Sequence, residues 1–377
     1  MKILFKNPVK SDILVFDENN YEYLKEVIPS WCSITIIKQR PQEFFISKKI
    51  IKQLANIFFK KFSLKGGIKK NLKGSYYEAL ILSLQPRAVV TLIDNNQTFN
   101  YLSKTIKSIP FIAIQNGLRH SFEGNAYNYH VQHFFSFGQN EKKHFPKYNM
   151  EVVNYYPAGS LISSIFSKNN IENIDEKFDI LIVSCWRGNI GYGKDVQDSM
   201  NSMKIANNLM SKYLSKRDLK AAIVLRSERD GEHWYMPEIG MNEEEYFKKQ
   251  YPQKVEIIDF DSKSNNIYKL IKTSSLLISA FGTTVLLEGY GNEKKILYTI
   301  FCDDEIYHEM FDNSILLLNP EWKDFESKLD EIIAIDEKKY IKHHKKNMGY
   351  YMNKPKPNTV GFIKKKIDEI ISYQLKN

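Results

Sequence analysis

Short runs of Val, Ile, Leu and Phe recur along the whole chain, and segments with apolar residues at helical spacing lie between them. A short continuous apolar run reads as a strand buried on both faces, and a helix between successive strands is the crossover that a parallel sheet requires. This alternation argues against an all-α or an all-β chain and for an α/β fold. The first half holds candidate strands at Asp12–Phe16, Ser33–Ile37, Ala88–Ile93, Phe111–Gln115, His133–Phe137 and Val152–Tyr156, with helical patterns at 45–62, 74–84 and 98–107. The second half restarts the pattern at Phe178–Ser184, Ala221–Arg226, Val255–Phe260, Leu276–Ala280, Ile296–Ile300 and Ser314–Leu317. Its helical patterns fall near 196–214, 243–250, 263–273, 283–290 and 321–334.

A length of 377 residues suits two such domains. Hydrophobic periodicity fades over 161–177, where Ser163, Ser164, Asn169, Asn170 and Asn173 cluster, so this stretch reads as a linker between domains at 1–160 and 178–335. The tail, 336–377, reads as two helices separated by Pro355 and Pro357 and expected to pack back on the first domain. The reading as a whole is two Rossmann-like domains facing a cleft.

Composition narrows the class. With 43% hydrophobic and 26% charged residues the chain is globular. Charged residues interrupt every apolar run before the ~18–20 residues of a membrane span, and Met1–Lys10 lacks the apolar core of a secretory signal. The expectation is a cytoplasmic protein. Cys32, Cys185 and Cys302 are far apart and form no CxxC pair, so they read as buried thiols rather than a disulfide or zinc framework. No metal site is expected.

The net charge of +10 is consistent with an anionic lipid, a phosphorylated substrate, nucleic acid or simply a lysine-rich solvated surface. Nucleic acid is not the expected partner. Residues 44–62 interleave Phe and Ile with Lys at helical spacing, a pattern that fits either a helix lying on a membrane surface or one packed on the core. The first alternative implies peripheral contact with the inner face of the cytoplasmic membrane.

The most specific local pattern runs from Ser275 to Tyr298. A hydrophobic strand ending at Ser279 gives way to a small-residue turn, and the backbone N–H groups of Gly282, Thr283 and Thr284 open a helix, an arrangement that can bind phosphate. One turn on, Glu288 can accept hydrogen bonds from ribose hydroxyls; the alternative is a capped helix with a solvated glutamate. Two more strand ends carry polar groups: Ser184-Cys185-Trp186-Arg187-Gly188, and Arg226-Ser227. Arg187 and Arg226 there are either phosphate ligands or surface ion pairs.

In the first domain, Asp94 and Asn95 follow one strand, and Gln115-Asn116-Gly117-Leu118-Arg119-His120 follows the next. Ligands of open α/β sheets bind at carboxyl ends of strands, so these residues are expected to share a crevice. Asp94 is a candidate nucleophile or general base, with helix capping as the alternative; His120 is a candidate proton carrier, and Arg119 an anion ligand. No P-loop, GxSxG or HExxH motif occurs. Asp259-Phe260-Asp261 has the letters of a DxD metal motif but reads as a helix cap.

The strand, turn and Glu-bearing helix of 275–300 resembles the donor-binding element of GT-B glycosyltransferases, in wording close to bacterial surface-carbohydrate proteins of O-antigen, capsule and lipopolysaccharide biosynthesis. Together with the Asp94 block it resembles the retaining β-Kdo transferases, which use CMP-activated ulosonic acids, over about 85–300. That resemblance implies a metal-independent transferase of hexosyl or ulosonyl groups, with a CMP-sugar as substrate and no cofactor. It implies a polysaccharide or lipid-linked oligosaccharide acceptor and Asp94 as nucleophile. Ser279, Gly282, Thr283, Thr284 and Glu288 would hold the nucleotide. A nucleotide-sugar 2-epimerase, a CDP-alcohol phosphotransferase and a non-catalytic polysaccharide-binding scaffold are the alternatives on the same fold.

Overall fold

A computed structural model describes residues 2–39, 43–62, 72–119, 128–168, 178–188, 194–229, 231, 233–252, 255–261, 266–303 and 306–374. The chain divides into two compact units: Met1–Ile165 together with Lys354–Asn377, and Phe166–Asn353.

The first unit contains β1 (Lys2–Leu4), β2 (Ile13–Phe16), β3 (Ile34–Ile37), β4 (Glu43–Phe45), β5 (Ala88–Thr91), β6 (Phe111–Ile114), β7 (His130–Ser136) and β8 (Glu151–Pro157). Six of these form one parallel sheet in the order β3-β2-β5-β6-β7-β8, while β1 pairs with β4. Alternate residues of the strands feed opposite cores. Leu14, Phe16, Val89 and Phe111 face the side covered by helices Lys48–Phe62, Leu72–Leu84 and Gln97–Thr105. Ile13, Val15, Val90 and Ile112 face the other side, where Ile363, Ile367 and Ile371 of helix Thr359–Gln374 stack at one-turn intervals. Burial on both faces is why these strands read as continuous apolar runs.

The second unit contains β9 (Phe178–Val183), β10 (Ala221–Val224), the short antiparallel pair β11 (Tyr235–Met236) and β12 (Met241–Asn242), β13 (Glu256–Ile258), β14 (Ser274–Ser279), β15 (Lys295–Ile300) and β16 (Leu316–Leu318). Its parallel sheet runs β13-β10-β9-β14-β15-β16. Counting only the sheet strands in chain order, this is 3-2-1-4-5-6, the dinucleotide-binding order, whose switch point lies between β9 and β14. Helix Thr284–Gly291 lies so close to β14 that a Cβ on Gly289 would stand 2.1 Å from Leu277 Cδ1.

Two expectations need correction. The stretch read as a linker opens with a helix, Leu161–Lys168, whose Leu161, Ile162 and Ile165 pack on the core of the first unit; 169–177 lies outside the described residues. The two tail helices also part company. Thr359–Gln374 joins the first unit, but Glu337–Tyr351 stays with the second, where Tyr340, His344 and Tyr351 pack around Tyr290 and the Tyr290 hydroxyl hydrogen-bonds His344 Nδ1 at 2.9 Å. Its aromatic stripe finds a matching surface on helix Thr284–Gly291, so local packing decides its place.

Candidate functional site

In the first unit the polar strand ends do come together, and they satisfy one another. Asp94 is 0% exposed, and its carboxylate accepts from Arg119 Nε at 2.6 Å, Tyr129 Oη at 3.0 Å and the Asn116 backbone N–H at 3.3 Å. Arg119 Nη2 also donates to Asp94 Oδ1, making the contact bidentate, and to Asn116 Oδ1 at 2.7 Å. Among the described residues this carboxylate is therefore enclosed by hydrogen-bond donors, which is the surrounding of an ion-pair member. It is not a helix cap. Asn96 caps helix Gln97–Thr105, accepting from the N–H groups of Thr98 at 3.0 Å and Phe99 at 3.1 Å. Asn95 is half-buried beside it.

Gln115 ties this cluster to the next loop. Its side chain accepts from the Phe137 N–H at 2.8 Å and donates to the Gly117 carbonyl at 2.8 Å and to Glu141 Oε1 at 2.5 Å. Asn116 and Gly117 remain half-exposed at the rim, and His120 lies outside the described residues. Glu141 and Tyr129 are members that the sequence reading missed. Burial pushes the Glu141 carboxyl up to about 8, against the Gln115 hydrogen bond and the Arg119 charge, so it is largely protonated at neutral pH. In the sequence, Glu141 sits in Asn140-Glu141-Lys142-Lys143 and has the look of a surface residue.

The second unit is built differently. The loops after β9 and β10 are held by Glu243, the first residue of helix Glu243–Gln250, which is buried and accepts from the Ser184 hydroxyl and from the N–H groups of Arg226 and Ser227, each at 2.9 Å. Burial raises the Glu243 pKa, and those hydrogen bonds oppose the rise. Ser184 and Ser227 therefore shape the loops: the Ser184 oxygen accepts from the Trp186 N–H at 3.1 Å, and the Ser227 hydroxyl donates to the His233 carbonyl at 3.0 Å. Gly188, at φ +53°, lies against the same segment, and a Cβ there would come within 2.3 Å of the His233 carbonyl oxygen.

This frame presents two guanidiniums. Arg226 donates through Nη1 to the Trp186 carbonyl at 2.7 Å, which leaves its other N–H groups uncommitted. It keeps surface open to solvent, yet the protein crowded around it, and then the charge of Arg187, hold its pKa below the ordinary arginine value. Arg187 lies with its guanidinium carbon 5.9 Å from the centre of the Phe281 ring, and its Nε is buried with no hydrogen-bond partner. Neither arginine forms an ion pair among the described residues. Two like charges thus stand at adjacent strand ends, one with a buried donor that has no hydrogen-bond partner among the described residues. Cys185 between them is no nucleophile, since burial pushes its thiol up to about 11.

The turn after β14 meets this pair through Phe281, across the switch point. Gly282, Thr283 and Thr284 are half-buried there, and no side chain caps helix Thr284–Gly291 at Thr283. Two residues carried over from the resemblance sit elsewhere. Ser279 is buried, its hydroxyl has no hydrogen-bond partner among the described residues, and it lines a small pocket with Ile182, Met210, Thr299 and Phe325. Glu288 is 5% exposed, and both its oxygens accept from the Tyr268 hydroxyl at 3.1 Å; a ribose would have to compete with that phenol. Asp259, read as a cap, instead pairs with Arg229 at 2.9 and 3.0 Å. Among the described residues no group of three His, Cys, Asp or Glu side chains is placed to hold a metal.

No protein-family model matches the sequence, and no curated protein matches it. Solved structures do match in fold. UDP-GlcNAc 2-epimerase from Neisseria meningitidis bound to UDP-GlcNAc aligns over 100% of both chains, at TM-score 0.50 and 14% identity. The wall teichoic acid polymerase TagF aligns over 97% of this chain and 90% of its own, at 0.51 and 13%. Arabidopsis thaliana UGT89C1 complexed with UDP aligns over 97% and 100%, at 0.51 and 12%. At these identities the likeness establishes the architecture: two parallel-sheet α/β domains of the GT-B type.

Proposed function

We propose that the protein is a glycosyltransferase that binds a nucleotide-activated sugar in its second unit, at the carboxyl ends of β9, β10 and β14. The observation that carries this reading is the pair of guanidiniums, Arg187 and Arg226, without an ion-pair partner among the described residues, at the switch point of a sheet with dinucleotide-binding strand order. The uncapped helix start at Thr283 adds a third source of positive potential. Together they suit a donor with two anionic groups. A CMP-linked ulosonic acid carries a phosphodiester and a carboxylate, and a nucleoside diphosphate sugar carries two phosphates. The fold neighbours bound to UDP-GlcNAc and UDP support the general class. We assign the acceptor to bacterial surface polysaccharide or a lipid-linked oligosaccharide, on the resemblance of the 275–300 segment.

Asp94 has a positioning role in this proposal: it fixes Arg119 and, through Asn116, the loop after β6. In this reading the nucleophile is not Asp94, whose carboxylate is committed to Arg119, Tyr129 and the Asn116 N–H.

The test is a thermal-shift series with UDP, CDP, CMP and a CMP-ulosonic acid, followed by donor turnover with and without acceptor. A ligand that binds only the folded state raises the melting temperature by mass action, and the rise should vanish in Arg187→Met and Arg226→Met. Nucleotide release that requires an acceptor supports transfer. Sugar interconversion without an acceptor would mark an epimerase instead, and no response to any nucleotide would overturn the donor site.

A further inference from the structure

Two stretches of this chain carry many lysines and no acidic residue, and the longer, between Glu43 and Glu78, sets its lysines among exposed apolar side chains. It holds nine lysines, against a net charge of +10 for the whole protein. The longest described element of that stretch is helix Lys48–Phe62, and its two faces differ. Ile50, Leu54 and Ile57 pack into the core of the first unit, which accounts for the apolar spacing on that side. Core packing does not account for Phe59, 80% exposed on the opposite face, or for Ile51, 54% exposed on the flank between the two faces.

At about 100° per residue, Lys48, Phe59 and Lys52 fall within about 40° of one another, and Ile51 flanks them about 60° to one side. Lys48, Lys49 and Lys52 are all exposed, and Lys49 donates to the Ser83 carbonyl. At the start of the helix, β4 leads into it from a pairing with β1, and Phe5, which follows β1, is 83% exposed. Large apolar side chains set between uncompensated lysines are poorly placed in water. They are well placed at a surface that offers phosphate groups outside and hydrocarbon beneath.

We infer that this face of helix Lys48–Phe62 docks on an anionic lipid surface, with Phe59 and Ile51 entering the interface and Lys48 and Lys52 at the headgroups. A nucleic acid would use the lysines equally well and leave Phe59 and Ile51 without a role, so lipid is the occupant that uses all four side chains. The inference does not depend on the donor site, because vesicle binding needs no nucleotide.

The experiment is cosedimentation of the full chain with vesicles of neutral phosphatidylcholine and with vesicles containing about one-third phosphatidylglycerol. Binding is expected to the anionic vesicles only, to weaken with salt, and to fall by at least about tenfold in Lys48→Glu/Lys52→Glu and again in Phe59→Ser. All these positions are exposed, so the variants should keep the parent melting temperature, which separates lost docking from lost folding. Equal binding to neutral vesicles, binding unchanged in the variants, or no binding would overturn the inference. So would binding that a short duplex DNA abolishes and that Phe59→Ser leaves intact, an outcome that points to a polyanion instead.

Discussion

At the carboxyl ends of β5 and β6 the charged groups face one another, whereas at the carboxyl ends of β9 and β10 they do not. Asp94 and Arg119 form a buried, bidentate pair with Tyr129 and Asn116 completing its hydrogen bonds. Arg187 and Arg226 are also brought close, but as like charges, with Glu243 beneath them committed to a hydroxyl and two backbone N–H groups. The same sheet architecture thus carries one strand-end cluster whose charges pair with each other and one whose two guanidiniums have no ion-pair partner among the described residues. Stability should reside in the first and ligand response in the second.

The largest expected effect tests the first half of this contrast. Arg119→Met leaves the Asp94 carboxylate buried and unpaired, and should cost about 3–5 kcal/mol of unfolding free energy. Denaturant unfolding measures it directly. A cost under about 1 kcal/mol would mean that the cluster opens to water and would restore Asp94 as a candidate for chemistry.

The second prediction concerns pH. Glu141 has its carboxyl raised from 4.5 to about 8, so between those values the folded chain holds a proton that the unfolded chain has lost. Stability from this group is therefore full below about pH 4.5 and declines as pH rises toward 8. The loss is on the order of 2–4 kcal/mol. Glu141→Gln, which carries no proton to lose, should flatten the profile and exceed the parent in stability at pH 8. Parallel profiles for the two proteins would place the charge of Glu141 in contact with water.

These assignments show which parts of the molecule were legible in the sequence. Strands β2, β5, β6 and β10, buried at every residue, stand out as apolar runs because both faces of the sheet are covered there, whereas the edge strand β8 carries Glu151 and Asn154 and is only partly buried. The short pairs β1–β4 and β11–β12 have two or three residues per strand and no such signature. At the site, the strand ends were legible as places, but partnership was not. Arg119 lies 25 residues from Asp94, and Ser184 lies 59 from Glu243. In the sequence Glu243 is one of three consecutive glutamates, Glu243-Glu244-Glu245, a run that a helix N-terminus favours for its dipole. Only the third makes the capping box with Asn242, and only the first turns inward.

Glu243 supplies the third prediction. Glu243→Ala should leave the N–H groups of Arg226 and Ser227 without their acceptor and cost roughly 1–3 kcal/mol. It should also weaken nucleotide binding, because the loops that aim the two arginines lose their common anchor. A variant that loses stability but binds nucleotide as the parent does would separate the frame from the site.

The smallest expected effect on stability is the one that best tests the comparison. Arg187→Met removes a contact with the Phe281 ring, worth about 0.5 kcal/mol. It also ends the repulsion of Arg226 and removes a buried donor with no partner. These terms oppose one another, so the unfolding free energy should change by less than about 0.5 kcal/mol in either direction. Nucleotide binding should nonetheless weaken by at least tenfold, about 1.4 kcal/mol, because a charge-assisted contact to the donor is lost. A matched pair of measurements, unfolding without ligand and melting-temperature rise with it, decides the matter. A large loss of stability with binding intact would show that Arg187 is a structural residue like Arg119, and the two strand-end clusters would then not differ in kind.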